Sequence, residues 1–418
     1  VSTSRVSRVV ITPVAFADPP LLNVVGVHQP YALRAIVQLQ TDSGSVGLGE
    51  TYADDAHLAR LAAVADVLPG LDVYDLNGLR QRVSEVLRLD GSAKVGGMLA
   101  IQNPADVVLS PFEVALLDIQ GKELGRPVAD LLGGAVRTEV PFSAYLFYKW
   151  AAHPGLEPDS WGAALDPDAI VAQATRMVDE YGFTAIKLKG GAFPPDEEIE
   201  AVKALAAVFP GHKLRIDPNG AWTPATSVRV AEELEGIIEY LEDPTPGIEG
   251  MAQVAEQTDI PLATNMCVIA FDHLKPAVLA DAVQVVLSDH HYWGGLQRSR
   301  LLAGICDTFG LGLSMHSNSH LGISLAAMTQ LAAATPNLTY ACDTHYPWKT
   351  EDLIKPGALD FSGGSIRLPD SPGLGVELDE DALGRLNDQY LSCGIRARDD
   401  TTYMRTVHPD FTPNTARW

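Results

Sequence analysis

From about residue 138 onward, short apolar runs alternate with amphipathic stretches, and each run ends in a polar residue. The runs are VPFSAYLF, TAIKLKG, KLRIDPNG, IIEYLEDP, IPLATNM, AVQVVLSD, GLGLSMHS and LTYACDTH. Apolar runs of this length bounded by turn residues read as buried strands, and PDAIVAQATRMVDEYG and SVRVAEELEGI between them have helical apolar spacing. The polar ends Lys189, Asp217, Glu242, Asn265, Asp289, His316 and Asp343 are separated by 28, 25, 23, 24, 27 and 27 residues. That step is one strand, one helix and two connections, so eight such units predict a (β/α)₈ TIM barrel.

The first part of the chain has a different texture. RAIVQLQTDSGSVGLGET alternates around a DSG turn and predicts a hairpin. Helices are expected over about 55–90 and over 110–125, the latter with Ser110 as N-cap and Gly125 at its end. The expected class is therefore α/β: an α+β capping domain over residues 1–135, a modified barrel over 136–384, and a tail over 385–418 that packs back on the cap.

Composition narrows the function. A net charge of −23 with no basic run argues against nucleic-acid partners. No stretch of membrane-spanning length is uninterruptedly apolar, and the first residues lack a signal-peptide core, so a cytoplasmic protein is expected. Cys267, Cys306, Cys342 and Cys393 show no metal-ligand spacing and read as reduced thiols. An anionic ligand on so acidic a chain needs a locally basic site or a metal.

The strand ends supply both. In this fold they surround one mouth. Asp217, Glu242 and Asn265 end the third, fourth and fifth strands, and two carboxylates with one amide carbonyl suit Mg²⁺. Lys187 and Lys189, two apart in a strand, share one face beside them. They read either as partners of Asp217, Glu242 and Asp243 in an ion-pair network or as an electrostatic group and a base, and these roles are compatible. Asp289 and His316 stand on the opposite side, where the carboxylate fixes the imidazole as a general base; the alternative for His316 is a satisfied core histidine. A carbon acid held between these flanks has a base on each face, which suits proton removal α to a carboxylate.

The strings YGFTAIKLKGG, DPNGAW, EDP, ATNM, MHSNSH, DTHYPW, PGLGVELD and RARDD resemble the enolase superfamily, and more closely its glucarate dehydratase group. The resemblance implies Mg²⁺ on Asp217, Glu242 and Asn265. It implies Lys189 and Asp289-held His316 as bases, with Lys187 at the bound carboxylate. It implies that Asn219, Asn318 and Asp343 contact or orient the substrate, and that His28, Tyr145, Phe147, His345 and Arg398 line its site. For Tyr145 and Phe147 the alternative is strand packing, and for His28 and Arg398 a solvated loop. The implied activity is dehydration of a small sugar acid, first D-glucarate, by a homo-oligomer. The alternatives are a dehydratase or epimerase for another aldarate or aldonate, or a noncatalytic homologue. The stretch 95–108 departs from the family: it lacks a threonine-rich segment, and Leu99 falls where a hydroxyl is expected.

Overall fold

A computed structural model describes residues 4–90 and 103–418. The N-terminal region carries β1 (Val6–Ala17), the two-residue strands β2 (Leu22–Asn23) and β3 (Gly26–Val27), β4 (Tyr31–Thr41) and β5 (Val46–Tyr52). Helices α1 (Asp55–Ala65), α2 (Leu76–Asp90), α3 (Pro104–Leu124) and the single turn α4 (Val128–Leu131) follow. The hairpin is β4–β5, and β1 joins it to make an antiparallel sheet in the order β1-β4-β5. Gly47 and Gly49 let β5 lie directly on α3: a Cβ at either would meet the carbonyl oxygens of Ala115 and Pro111 at 2.0 and 2.1 Å.

Helix α3 begins earlier than expected. Asn103 accepts from Ala105 N and Pro104 takes the first helical position, a stronger start than Ser110. Ser110 instead donates its hydroxyl to the carbonyl of His290 at 2.8 Å. Gly125 ends the helix in the left-handed region, φ 65°.

Next come β6 (Glu139–Pro141), β7 (Ser143–Phe147), α5 (Pro167–Tyr181), β8 (Ala185–Lys189), α6 (Pro195–Val208), β9 (Lys213–Asp217), α7 (Pro224–Leu234), β10 (Ile238–Glu242), α8 (Gly247–Ala255), β11 (Leu262–Thr264), α9 (Phe271–Leu279), β12 (Val285–Ser288), α10 (Leu296–Phe309), β13 (Gly312–Met315) and α11 (Gly322–Ala333). Strands β7 to β13 form one parallel sheet of seven in chain order. The eighth run does not form a strand, which corrects the sequence expectation. It keeps one parallel bridge, Phe142 to Cys342. Thr339 N and Tyr340 N both donate to Leu313 O, so two residues face one and the ladder breaks. The segment still spans the gap: Asp343 N donates to Met315 O, and Cys342 N to Pro141 O, each at 2.8 Å.

After the short pair β14 (Phe361–Ser362) and β15 (Ser365–Arg367), which joins β6, the chain ends in α12 (Glu380–Cys393) and α13 (Asp400–Arg405). Asn387 and Gln389 of α12 donate to the carbonyls of Pro13 and Ala15 on β1. The last residues also reach the barrel: Asn414 N donates to Val24 O, its side chain to Gly191 O, and Ala416 N to Gly220 O.

Candidate active site at the barrel mouth

All five residues of β8 are buried, yet two are lysines. Ile186 and Leu188 occupy one face of the strand and Lys187 and Lys189 the other, where they meet acids from neighbouring strands. Lys187 Nζ lies 2.7 Å from Glu242, 2.7 Å from Asp343 and 3.5 Å from Asp217. Lys189 Nζ lies 2.6 Å from Asp217 Oδ2, which also accepts from Tyr145 Oη at 3.3 Å. Arg215, paired across β8–β9 with Lys187, holds Glu239 at 2.5 Å and comes within 3.6 Å of Asp343. The ion-pair alternative for the lysines is thus present.

The acids still outweigh this charge. Burial, reinforced by Asp217, pushes the Glu242 carboxyl well above its usual range despite Lys187. Burial and Asp217 push Asp243 up to about 7. Burial would also raise Asp217, but Lys189 and Lys187 hold it at about 2. Two buried oxygens, Glu242 Oε2 and Asn265 Oδ1, have no hydrogen-bond partner among the described residues. Glu242 Oε2 is within ion-pair distance of Lys187 but outside hydrogen-bond direction. Excess negative charge, with the orphaned Asn265 oxygen beside the ion-paired Glu242 carboxylate, fits a hard divalent cation held by Asp217, Glu242 and Asn265. Asn265 is fixed for this by its backbone N–H, which donates to Asp243 at 2.8 Å.

On the opposite flank, His316 Nδ1 lies 2.9 Å from Asp289 Oδ2. Burial would raise Asp289, but contact with His291 and His316 holds it well below the usual carboxylate range. The carboxylate therefore accepts a hydrogen bond from a protonated Nδ1, which leaves Nε2 of His316 as the basic atom.

Between the flanks is a cavity of about 240 Å³. Lys189, Asn219, Asn265, His316 and Asn318 line it, as do His28, Tyr145, Phe147, His345 and Arg398. Lys187, Asp217, Glu242, Asp289 and Asp343 lie around it without lining it. Asn219 has φ 56°, a strained conformation that Asn tolerates, and its N–H donates to Asp217 Oδ1. His28 is held by Asp18 at 3.0 Å, and Arg398 by Asp400 at 2.8 Å. Burial and neighbouring imidazoles keep His345 neutral, well below the usual histidine range. Tyr145 and Phe147 both line the cavity and pack, with ring centroids 4.7 Å apart. Leu99 lies outside the described residues.

Sequence reasoning missed Tyr52, Tyr292, Met266 and Thr415. Asn318 Nδ2 donates to Tyr292 Oη at 2.6 Å and Tyr52 Oη at 3.1 Å, and the Tyr292 ring lies 5.7 Å from that of His316. The string HHYWGG directly after Asp289 was the available signal for Tyr292. Nothing local to Tyr52 or Thr415 marks them.

A parallel sheet curled around two lysines, a cluster of acids and an Asp–His pair defines a class, and the chain belongs to it: the enolase superfamily. Residues 6–133 match the family model of the mandelate racemase / muconate lactonizing enzyme N-terminal domain, and residues 169–382 match that of the enolase C-terminal domain-like family. More particularly, the chain is 53% identical to a probable glucarate dehydratase of Streptomyces coelicolor, over 99% of each chain. A crystal structure described as an enolase from Mycobacterium smegmatis, complexed with tartrate, is 67% identical with TM-score 0.96, covering 100% of this chain and 99% of that one. Another, from Gibberella zeae and complexed with magnesium, formate and sulfate, is 60% identical with TM-score 0.97, covering 99% and 98%.

Proposed function

We propose that this protein is a Mg²⁺-dependent dehydratase that takes D-glucarate to 5-keto-4-deoxyglucarate. The chain is an enzyme of the hydro-lyase class, related to dehydratases of acid sugars. The observation that carries the finer reading is the shared cavity: Lys189 and the Asp289-held His316 both face it, beside the Glu242 carboxylate and the unpartnered oxygen of Asn265. At about 240 Å³ it lies below the ~300–1,000 Å³ usual for drug-sized ligands, so it takes a small molecule.

Asp217, Glu242 and Asn265 would hold the cation, which would supply positive charge to the substrate carboxylate. Lys187, buried beside Glu242 and Asp343, adds charge at the same end. His316 Nε2 removes the α-proton from one face, or Lys189 from the other, according to the configuration of that carbon. His316 as imidazolium, formed by that transfer or already protonated where Lys189 is the base, gives a proton to the departing β-hydroxyl, which leaves as water, and the enol tautomerises to the keto acid. Asn219 and Asn318 orient the intermediate, and His28, Tyr145, Phe147, His345 and Arg398 set the remainder of the pocket. The work divides between a barrel, residues 136–384, and a cap made of residues 1–135 and the tail from 385, assembled as a homo-oligomer.

A panel of mono- and dicarboxylate sugars with Mg²⁺ tests this. Keto acid is read as its semicarbazone, and α-carbon exchange as deuterium uptake in D₂O. Keto acid from D-glucarate is expected. Exchange without keto acid makes the protein an epimerase, and neither signal on any acid sugar makes it a noncatalytic homologue.

A further inference from the structure

The cap sends a buried charge into the imidazole flank. Arg34 on β4 is 1% exposed, and its Nε donates to Glu50 on β5 at 2.9 Å. Glu50 also accepts from the backbone of Leu321 and Ser324, each at 2.8 Å, so the guanidinium is fixed in place. Its Nη2 lies 2.9 Å from His291 Nε2. A guanidinium only donates. His291 Nε2 must therefore present its lone pair, and the ring proton is on Nδ1. That atom is 2.8 Å from Asp289 Oδ1, which accepts the His291 backbone N–H as well. Ser324 Oγ, 2.9 Å from Nε2, is compatible because a hydroxyl donates as readily as it accepts.

We infer that Arg34 and His291 are positioning residues for the His316 base: Arg34 keeps His291 neutral with its proton on Nδ1, and His291 then occupies one oxygen of Asp289, leaving the other to orient His316. The inference rests on the reading of His316 as a base. The groups facing His291 are Arg34 from β4, Glu50 and Tyr52 from β5, His57 from α1, Asp289 and His290 in its own loop, and His320 before α11. Asp289, His290 and His291 also bring possible ligand atoms within 4.8 Å, but a guanidinium against the cluster opposes a cation there.

Two measurements test the inference. In enzyme carrying ¹⁵N-histidine, two-bond ¹H–¹⁵N correlation reports each ring's tautomer, and the signal lost in His291→Asn assigns His291. The expected pattern between about pH 6 and 8 is a neutral ring protonated on Nδ1; a proton on Nε2, or an imidazolium, overturns the inference. The second measurement is the pH profile of kcat/KM for α-proton exchange. His291→Phe removes a donor from Asp289, which then holds the His316 imidazolium more tightly. The acid limb is expected to move up by roughly one pH unit, about tenfold in rate at a fixed pH on that limb, with KM little changed. His291→Asn places an amide N–H where Nδ1 stood and should bring the limb back. An unmoved limb in folded His291→Phe overturns the inference. If the wild type exchanges no α-proton with any sugar acid, the proposed function fails, and the tautomer measurement still decides the role of Arg34.

Discussion

On the lysine flank the charged partners among the described residues come from the parallel sheet and its ends: Lys187 and Lys189 on β8, Asp217 on β9, Glu242 on β10 and Asp343 beyond β13. On the imidazole flank the partners come from two parts of the chain: Asp289 and His316 end barrel elements, while Arg34, Glu50 and Tyr52 come from the hairpin of the cap. The first flank packs Asp217, Glu242 and Asp343 around two lysines and leaves the Asn265 oxygen without a partner, which is what the proposed cation would fill. On the second, each carboxylate oxygen of Asp289 is given to one imidazole, while Arg34 Nη1 and His320 Nε2 have no hydrogen-bond partner among the described residues. On the proposed reading a bound cation completes the first flank, whereas residues of the N-terminal hairpin complete the second.

The largest expected effect separates the flanks by stereochemistry. His316→Asn should lower exchange by about 10²–10⁴-fold on the substrate whose α-proton faces the imidazole, and Lys189→Met should do the same on its α-epimer. Deuterium uptake at the α-carbon, followed by NMR for both epimers, reads the difference. Equal losses on both epimers from either variant would mean that the flanks do not act on opposite faces.

The next effect concerns stability. Lys187→Met leaves Glu242 and Asp343 without their closest cation, and Arg34→Met leaves Glu50 buried without its guanidinium. Each should cost about 3–5 kcal/mol in urea unfolding, because an unpaired buried charge remains. Mg²⁺ distinguishes them. A ligand at a hundred times its dissociation constant adds about 2.7 kcal/mol. That gain should be larger than the wild-type gain in Lys187→Met, where the cation replaces lost charge, and equal to it in Arg34→Met. A larger Mg²⁺ gain in Arg34→Met would break the division drawn here.

The two flanks also differed in how far the sequence revealed them. Lys189, Asp217 and Glu242 were legible because a strand end repeats at a near-constant step and fixes which residues meet. Asp289 and His316 were legible for the same reason. Arg34 was not: it lies 257 residues from His291, inside a hairpin whose alternation explains it equally well as a strand residue. Pairing across domains leaves no local period. The eighth strand failed differently. Its apolar run was read correctly, but strand regularity depends on pairing with β13, and two donors to one carbonyl of Leu313 destroy that pairing. The start of α3 at Asn103–Pro104 carries its own signal in the sequence, an Asn cap followed by a Pro at the first helical position.

The smallest effect comes from two buried glutamates that perform one task on opposite flanks. Glu198 of α6 accepts from Gly191, Ala192 and Phe193 N–H, tying down the loop after Lys189. Glu113 of α3 accepts from Leu296 and Gln297 N–H, tying the first turn of α10, just after the His291 loop, to α3. Burial pushes each carboxyl from 4.5 up to about 7 against those hydrogen bonds. Each folded carboxyl thus keeps a proton that the unfolded chain releases. Its stabilising contribution is full below about pH 4.5 and is lost as pH rises through about 7. Glu113→Gln and Glu198→Gln do not titrate. At pH 5 each should be less stable than the wild type by about 1 kcal/mol for the altered hydrogen bond. By pH 8 the difference should swing toward the variant by about 2–3 kcal/mol. Urea unfolding at both pH values measures the swing, and no swing would mean that the carboxylate is ionised when folded. Activity separates the flanks again: Glu113→Gln should alter the acid limb that His291 sets, and Glu198→Gln should alter the reaction of the epimer served by Lys189.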